Sequence, residues 1–255
     1  MNLINNIDFY DFYFNGHYLS EFGGIVGGSE PLKQYPLLPN RTYITDKAAD
    51  QDGVYVFGSY LEPRTFEVPV FFENIDEHGL RNIAAWLNSE EDQWFHYKDD
   101  DLKIKCSVDG EGTLETIAGL DGQTYIKFIA HDPYYYKLSE EQIIKTNLSG
   151  TSNEFLLTNI GNQKCFPTIK IIGSGDITVS ILNTDKTITY SSCTITSVVS
   201  AVTLDSLYCN CLSGSGANWF DKFDGTFPLF PSGKFVLKIE GPISAVYISP
   251  NYRWI

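Results

Sequence analysis

The segment Tyr125–Tyr136, near the middle of the chain, most constrains how the rest can fold. It starts as a strand-like run of alternating residues and ends at Asp132-Pro133, before three consecutive tyrosines. Proline has no N–H for a strand ladder and restricts the residue before it, so the strand must stop there. A stop at the midpoint of 255 residues predicts a joint between two β-rich domains, residues 1–137 and 138–255. We expect the three tyrosines to pack between these domains.

The first half predicts a β-sandwich-like domain with one α-helix. The chain contains 16 Tyr and 17 Phe, which favour strands over helices. The exception follows Asp76, a suitable N-cap, with apolar residues at helical spacing. These residues are Leu80, Ile83, Ala84 and Leu87.

The second half predicts a β-sandwich or jelly roll, because short strands recur with turn signals about every 8–12 residues. Residues 138–145 are polar and irregular, which predicts a linker. Residues 187–190 and 194–197 are predicted to be two separate strands. The whole chain is therefore expected to be mainly β.

Composition argues against several classes of partner. With 18 Lys and Arg against 32 Asp and Glu, the formal net charge is −14. An acidic chain is a poor ligand for nucleic-acid phosphates and for anionic membrane surfaces. We also expect no membrane insertion and no secretory leader, since no basic start or long apolar run is found. A cytosolic setting then predicts free thiols for the five cysteines.

No spacing of residues predicts catalysis, a cofactor or a metal site. The four histidines are scattered, and His131-Asp132 would point to opposite faces of a strand. The run Asp99–Asp101 is better explained as a solvated turn than as a cation site. Cys209 and Cys211 would share one face of a strand, but no further ligands lie near them in sequence.

Two sets of residues are candidates for binding. Residues 27–63 form a long excursion rich in glycine and proline, and such excursions are usually functional or interfacial. In the second half, aromatic residues could stack on sugars, or could instead be core and interface residues. These aromatics are Trp219, Tyr247, Tyr252 and Trp254.

Several motifs, in order along the chain, resemble the distal tail protein (Dit) family of long-tailed bacteriophages (siphophages), especially those of Gram-positive hosts. The stretch Phe14–Val26 resembles the opening motif of the family, and Phe128–Tyr134 resembles the motif that ends the family's first domain. In the second half, Asn159–Ile171 and Gly225–Gly233 are similar to later family motifs. The sequence departs from the family at Phe230–Lys234, where members often read Pro-Gly-Asn.

The resemblance implies a structural role in the virion tail tip, after assembly in the host cytoplasm. Six copies would form a ring joining the tail tube protein to the tip or baseplate and its tail-associated lysin-type protein. The first domain would build the ring. The second, a galectin-like or carbohydrate-module-like (CBM-like) jelly-roll sandwich, would face outward and anchor receptor-binding, tail-fibre or baseplate proteins.

A ring needs heterologous contacts, in which two different patches of one subunit meet. The excursion at 27–63 is therefore the candidate inter-subunit arm. Its marked residues are Pro31, Tyr35, Pro36, Pro39, Arg41, Asp52 and Gly53. The alternatives are a carbohydrate-binding tail module that contacts the host cell wall through its second domain, and a tail-associated hydrolase, which the missing catalytic site disfavours.

Overall fold

The computed structural model describes residues 11–27, 38–47, 49, 52–73, 75–110, 115–117 and 121–255. The chain divides into two compact units. The first comprises Met1–Leu138 with Ile255, and the second comprises Ser139–Trp254.

The described part of the first unit is mainly β and contains one α-helix, α1 at Glu77–Leu87. This confirms the predicted fold class. Its strands are β1 (Phe12–Phe14), β2 (His17–Tyr18), β3 (Gly24–Val26), β4 (Arg41–Asp46), β5 (Tyr55–Leu61), β6 (Arg64–Phe72), β7 (Gln93–Tyr97), β8 (Leu102–Val108), β9 (Glu115–Ile117), β10 (Asp121–Ala130) and β11 (Tyr135–Lys137).

Most of these strands form one antiparallel sheet in the order β2-β1-β7-β8-β10-β6-β3, with β9 on β10 and β11 on β8. The longest pairing joins β10 to β6 over nine residue pairs, from Gly122 opposite Phe72 to Ala130 opposite Arg64. Strands β4 and β5 stand apart as a separate two-stranded sheet. The predicted loop-rich excursion is thus, where described, largely a β-hairpin.

Helix α1 begins where the sequence predicts, because the Asp76 side chain accepts a hydrogen bond from the Gly79 N–H at 2.7 Å. Its inner face buries Ile83 and Trp86. The Trp86 indole stacks on Phe22 at 4.6 Å between centroids, and its N–H donates to the Phe14 carbonyl at 2.7 Å. These contacts fix the helix on the sheet.

The core of the first unit is aromatic. The Phe128 ring lies 5.1 Å from Phe95 and 5.3 Å from Phe66, and all three side chains are buried. The Asn15-Gly16 turn that leads out of β1 has the positive φ angles, 43° and 88°, that a tight hairpin requires.

The second unit is a sandwich of two five-stranded antiparallel sheets. One has the order β12-β21-β14-β17-β18, and the other β13-β20-β15-β16-β19. The ten strands are β12 (Ile143–Thr146), β13 (Ser152–Asn159), β14 (Thr168–Gly173), β15 (Gly175–Leu182), β16 (Thr189–Val198), β17 (Ala201–Asp205), β18 (Asn210–Ser213), β19 (Phe223–Gly225), β20 (Gly233–Glu240) and β21 (Ile243–Ser249). A short further strand, β22 (Arg253–Trp254), belongs to neither of these sheets.

Side chains from both sheets make a single core in the second unit, including Ile169 and Val246 from one sheet and Val179 and Leu237 from the other. Two boundary predictions were wrong. The predicted linker at 138–145 contains the start of β12, since Ile143 packs against the core. The two strands predicted within residues 187–197 are a single strand, β16. It continues through the buried Ser191 because the Ser191 hydroxyl accepts a hydrogen bond from the Leu229 N–H at 3.0 Å.

Candidate interaction site

The β4–β5 hairpin leaves an unusual amount of apolar surface uncovered within its own chain. Every residue of the two strands is exposed or half-buried. Large apolar side chains are well exposed, with Phe57 at 72%. The others are Tyr43, Ile44, Val54, Tyr55, Val56 and Tyr60.

Apolar residues project from both faces of the hairpin. Ile44 lies opposite Gly58 and Thr42 lies opposite Tyr60, so Ile44 and Tyr60 share one face. Thr45 lies opposite Val56, so Tyr43 and Val56 share the other face, while Phe57 is the extra residue where the register shifts. A lone two-stranded sheet is marginally stable in water, and a contiguous apolar patch with a polar rim is typical of an interaction site. The exposed hairpin is therefore the candidate interaction site of the first unit.

Polar contacts hold the base of the hairpin in shape. The Arg41 guanidinium donates to Ser59 Oγ at 2.9 Å, and the Thr42 hydroxyl donates to a Glu62 carboxylate oxygen at 2.6 Å. The Glu62 N–H donates to the Asn40 carbonyl at 2.8 Å. These hydrogen bonds therefore hold the two strands of the hairpin together at its base.

The predicted arm residues are only partly described. Pro31, Tyr35 and Pro36 lie outside the described residues. Pro39 is buried just before β4, Arg41 opens β4, and Asp52-Gly53 lies exposed in the connection ahead of β5. The apolar residues of the two strands were not predicted from the sequence, in which Tyr43 and Ile44 are adjacent and do not alternate with polar residues.

A groove lies between helix α1 and the sheet of the first unit, with a volume of 380 Å³. Its walls are largely apolar, from Leu80, Ile83 and Leu87 on the helix and Val108 and Ile126 on the strands. At its edge Tyr125 is 56% exposed, and Lys127 Nζ lies 2.7 Å from Asp109 Oδ2. The carboxylate raises the pKa of Lys127 above its usual value.

The four candidate sugar-stacking aromatics do not share one surface platform. Tyr252 is buried and its hydroxyl donates to the Thr158 carbonyl at 3.2 Å, while its ring meets Trp254 at 70°. Trp219 packs against the core with Lys222 Nζ 4.1 Å from its ring centre. Tyr247, on β21, is half-buried. Sugar stacking by these residues stays a prediction.

The histidines and acidic residues make local structural contacts. His131 Nδ1 lies 3.1 Å from both oxygens of Asp92, while Asp132 accepts a hydrogen bond from the Tyr136 hydroxyl at 2.5 Å. His131 and Asp132 thus serve different partners. Asp100 accepts from the Leu102 N–H at 3.0 Å, which makes the acidic run a turn.

Tyr135 lies under the buried Arg64 guanidinium, 4.9 Å from its ring centre. Burial raises the pKa of the Tyr135 hydroxyl. That the three tyrosines pack between the units stays a prediction.

The cysteines are free, and four of the five are buried. Burial raises the pKa of Cys165 and of Cys193 to about 12, and that of Cys211 to about 11, so these thiols stay protonated. The expectation that Cys209 and Cys211 share a strand face was wrong. Cys209 has φ 52° in the turn before β18 and is exposed.

Among the residues described, no group of His, Cys, Asp and Glu could hold a metal ion. Within the same residues, no helix is long and apolar enough to span a membrane.

Comparison with known proteins supports a particular class. Residues 7–118 match a family model described as a phage tail protein N-terminal domain. The fold matches SPP1 Dit (gp 19.1), a protein described as a paradigm of the hub adsorption apparatus in phages that infect Gram-positive bacteria. That match has a TM-score of 0.71 and 15% identity, covering 94% of this chain and 98% of that one.

The chain is also similar, more distantly, to a chain of the phage p2 baseplate in its activated conformation with Sr, at TM-score 0.49 and 8% identity, covering 93% and 96% of the two chains. A search of curated proteins finds no match. The domain match and the fold together support a phage tail component. In its fold the chain is Dit-like, as the sequence motifs predicted.

Proposed function

We propose that this protein is a non-enzymatic hub of a phage tail tip, located in the virion tail after assembly in the host cytoplasm. Six copies form a ring that joins the tail tube protein to the tip or baseplate and its lysin-type protein. The first unit builds the ring. The second unit anchors receptor-binding or tail-fibre proteins.

The observation that carries this proposal is the exposed β4–β5 hairpin. A hairpin with apolar side chains on both faces needs a partner surface, and within the described part of the chain neither face is covered. A hairpin that docks on a different patch of a second copy makes a heterologous contact, and repetition of that contact closes a ring. The likeness in fold to a protein described as a hub supports the hub role.

The second unit offers a separate surface for tail partners. Ile188 precedes β16, and Leu207 and Tyr208 follow β17. Ile188 is 55% exposed and Tyr208 is 71% exposed. Exposed apolar residues in the turns of a sandwich are suited to protein contacts.

The test is the native mass of the purified chain across a dilution series, alone and with tail-tube protein. We expect a species of six copies of the 28.7 kDa chain. A chain that stays monomeric in both samples and binds cell-wall sugar would contradict the proposal and favour a carbohydrate-binding tail module.

A further inference from the structure

Strand β13 is a long strand at the edge of one sheet of the second unit. It pairs with β20 from Ser152 opposite Glu240 to Asn159 opposite Gly233, and among the described residues it pairs with no other strand. We propose that this edge binds an extended segment of another tail protein, which joins the sheet as a further strand. The inference rests on the proposed anchoring role of the second unit, and it states how a partner is recognised.

The length of β13 sets it apart from the other edges of the sandwich. Edge strands expose a row of backbone groups, and proteins usually keep such strands short, bulged or charged. Strands β12 and β18 have four residues each and β19 has three, whereas β13 has eight. It contains no proline, and its pairing with β20 has no register shift. Its one charged residue, Glu154, is paired with Lys186, so the edge is suited to strand addition.

The register shows which backbone groups of β13 point outward. The Gly241 N–H donates to the Thr151 carbonyl at 2.8 Å, so these residues form a hydrogen-bonded pair just before the strand. Such pairs alternate with non-bonded pairs along an antiparallel ladder. The backbone of Phe155 therefore bonds to β20, whereas the N–H and C=O groups of Glu154 and Leu156 point away from it. These outward groups are the ones that an added strand would bond.

The outward face of β13 adds an apolar contact to these backbone groups. Leu157 is buried in the core, whereas Leu156 points to the other face of the sheet and is 66% exposed. Leu156 lies opposite Val236 of β20, and Val236 lies opposite Leu182 of β15. The three side chains form an apolar row that ends at the edge. An apolar side chain on the added strand, opposite Leu156, would extend that row.

The two strands at the edge carry balanced charge, although the chain has a net charge of −14. Their acidic and basic residues are Glu154, Glu240, Lys234 and Lys238. Lys238 Nζ lies 2.8 Å from Glu240, and Glu154 is paired with Lys186. A charged segment would meet no excess of opposite charge, so recognition depends on backbone hydrogen bonds and apolar contact. The fitting partner is an uncharged segment in which apolar and polar residues alternate.

The first experiment selects ligands for the purified full chain from a displayed library of short random peptides. Enriched peptides should alternate apolar and polar residues and carry little charge. Binding should protect the amides of Glu154 and Leu156 from hydrogen exchange, while those of Phe155 and Leu157 are protected beforehand by β20. No enrichment, or protection only at other residues, would overturn the proposal. Protection of Glu154 and Leu156 without peptide, in a dimer of the chain, would replace the tail protein by a second copy.

The second experiment compares Leu156→Pro with Leu156→Ala. Both variants lose the leucine side chain, but only proline also removes the outward N–H, and edge strands accept proline where that group faces solvent. The added strand would then bury a carbonyl without a donor, so Leu156→Pro should bind the selected peptides at least about tenfold more weakly than Leu156→Ala. Equal binding by the two variants would contradict strand addition. The exchange measurement does not depend on the folding of Leu156→Pro.

The native mass of the same samples separates this inference from the proposed function. Both Leu156 variants should form the six-copy species, because the ring is assigned to the first unit and the edge belongs to the second. A six-copy species that binds no peptide would overturn the edge site alone. A chain that binds peptides at β13 but stays monomeric would retain the edge site and overturn the ring.

Discussion

Replacing Phe57 with serine separates the stability of the subunit from the stability of the assembly. Because Phe57 is 72% exposed in the isolated chain, the substitution should change the free energy of unfolding of the monomer by no more than about 0.5 kcal/mol. In the proposed ring of subunits, the neighbouring copy would cover the Phe57 side chain. Complete burial of a Phe side chain contributes about 1.5–3 kcal/mol.

Nearly three quarters of the Phe57 side chain is available for burial between subunits. Each contact between subunits should therefore lose roughly 1–2 kcal/mol of binding free energy in Phe57→Ser, which weakens it about 5- to 30-fold. Sedimentation velocity over a dilution series measures that change, and urea denaturation of the monomer checks the fold. Tyr208→Ser is the matched control, because Tyr208 is 71% exposed in the second unit. Unchanged assembly of Phe57→Ser, or equal loss in the control, would refute the reasoning.

Three further outcomes follow from the core and the thiols. Trp86→Ala should lower the free energy of unfolding in urea by about 3–5 kcal/mol, since it empties a buried site and leaves the Phe14 carbonyl without the indole N–H. A thiol reagent should label only Cys209 in the native chain and all five cysteines in denaturant. Between pH 9 and 12, the thiols of the unfolded chain ionise, whereas Cys165 and Cys193 stay protonated in the folded chain. The free energy of unfolding should therefore fall as the pH rises, and it should fall less steeply in Cys193→Ala.

Local signals predicted the helix well. Asp76 is the N-cap that its position suggested, and the apolar spacing placed Ile83 against the sheet. Asn15-Gly16 likewise predicted a tight turn, because few other residue pairs adopt its positive φ angles.

Nonlocal contacts explain what the sequence did not predict. Glycine and proline concentrate in residues 27–39, and Gly53 and Gly58 follow within the excursion, so the strands β4 and β5 were not predicted. Ser191 looks like a strand break, yet a hydrogen bond from Leu229, distant in sequence, allows β16 to continue. Cys209 lies in a left-handed turn that strand periodicity could not anticipate.

The inter-subunit role of the candidate arm stays a prediction, and prolines and glycines marked its region in the sequence. The side chains suited to binding, such as Phe57 and Tyr43, became evident only from their exposure on both faces of an isolated hairpin. The groove was not foreseeable at all, since its walls come from α1, β6, β8 and β10.

The central claim is that copies of this chain assemble into a ring through the hairpin. Electron cryo-microscopy of the purified full-length protein, alone and with tail-tube protein, tests it most directly. The account predicts particles with six-fold symmetry, in which each β4–β5 hairpin contacts the adjacent subunit. Particles whose hairpins stay in solvent, or single subunits in both samples, would contradict it.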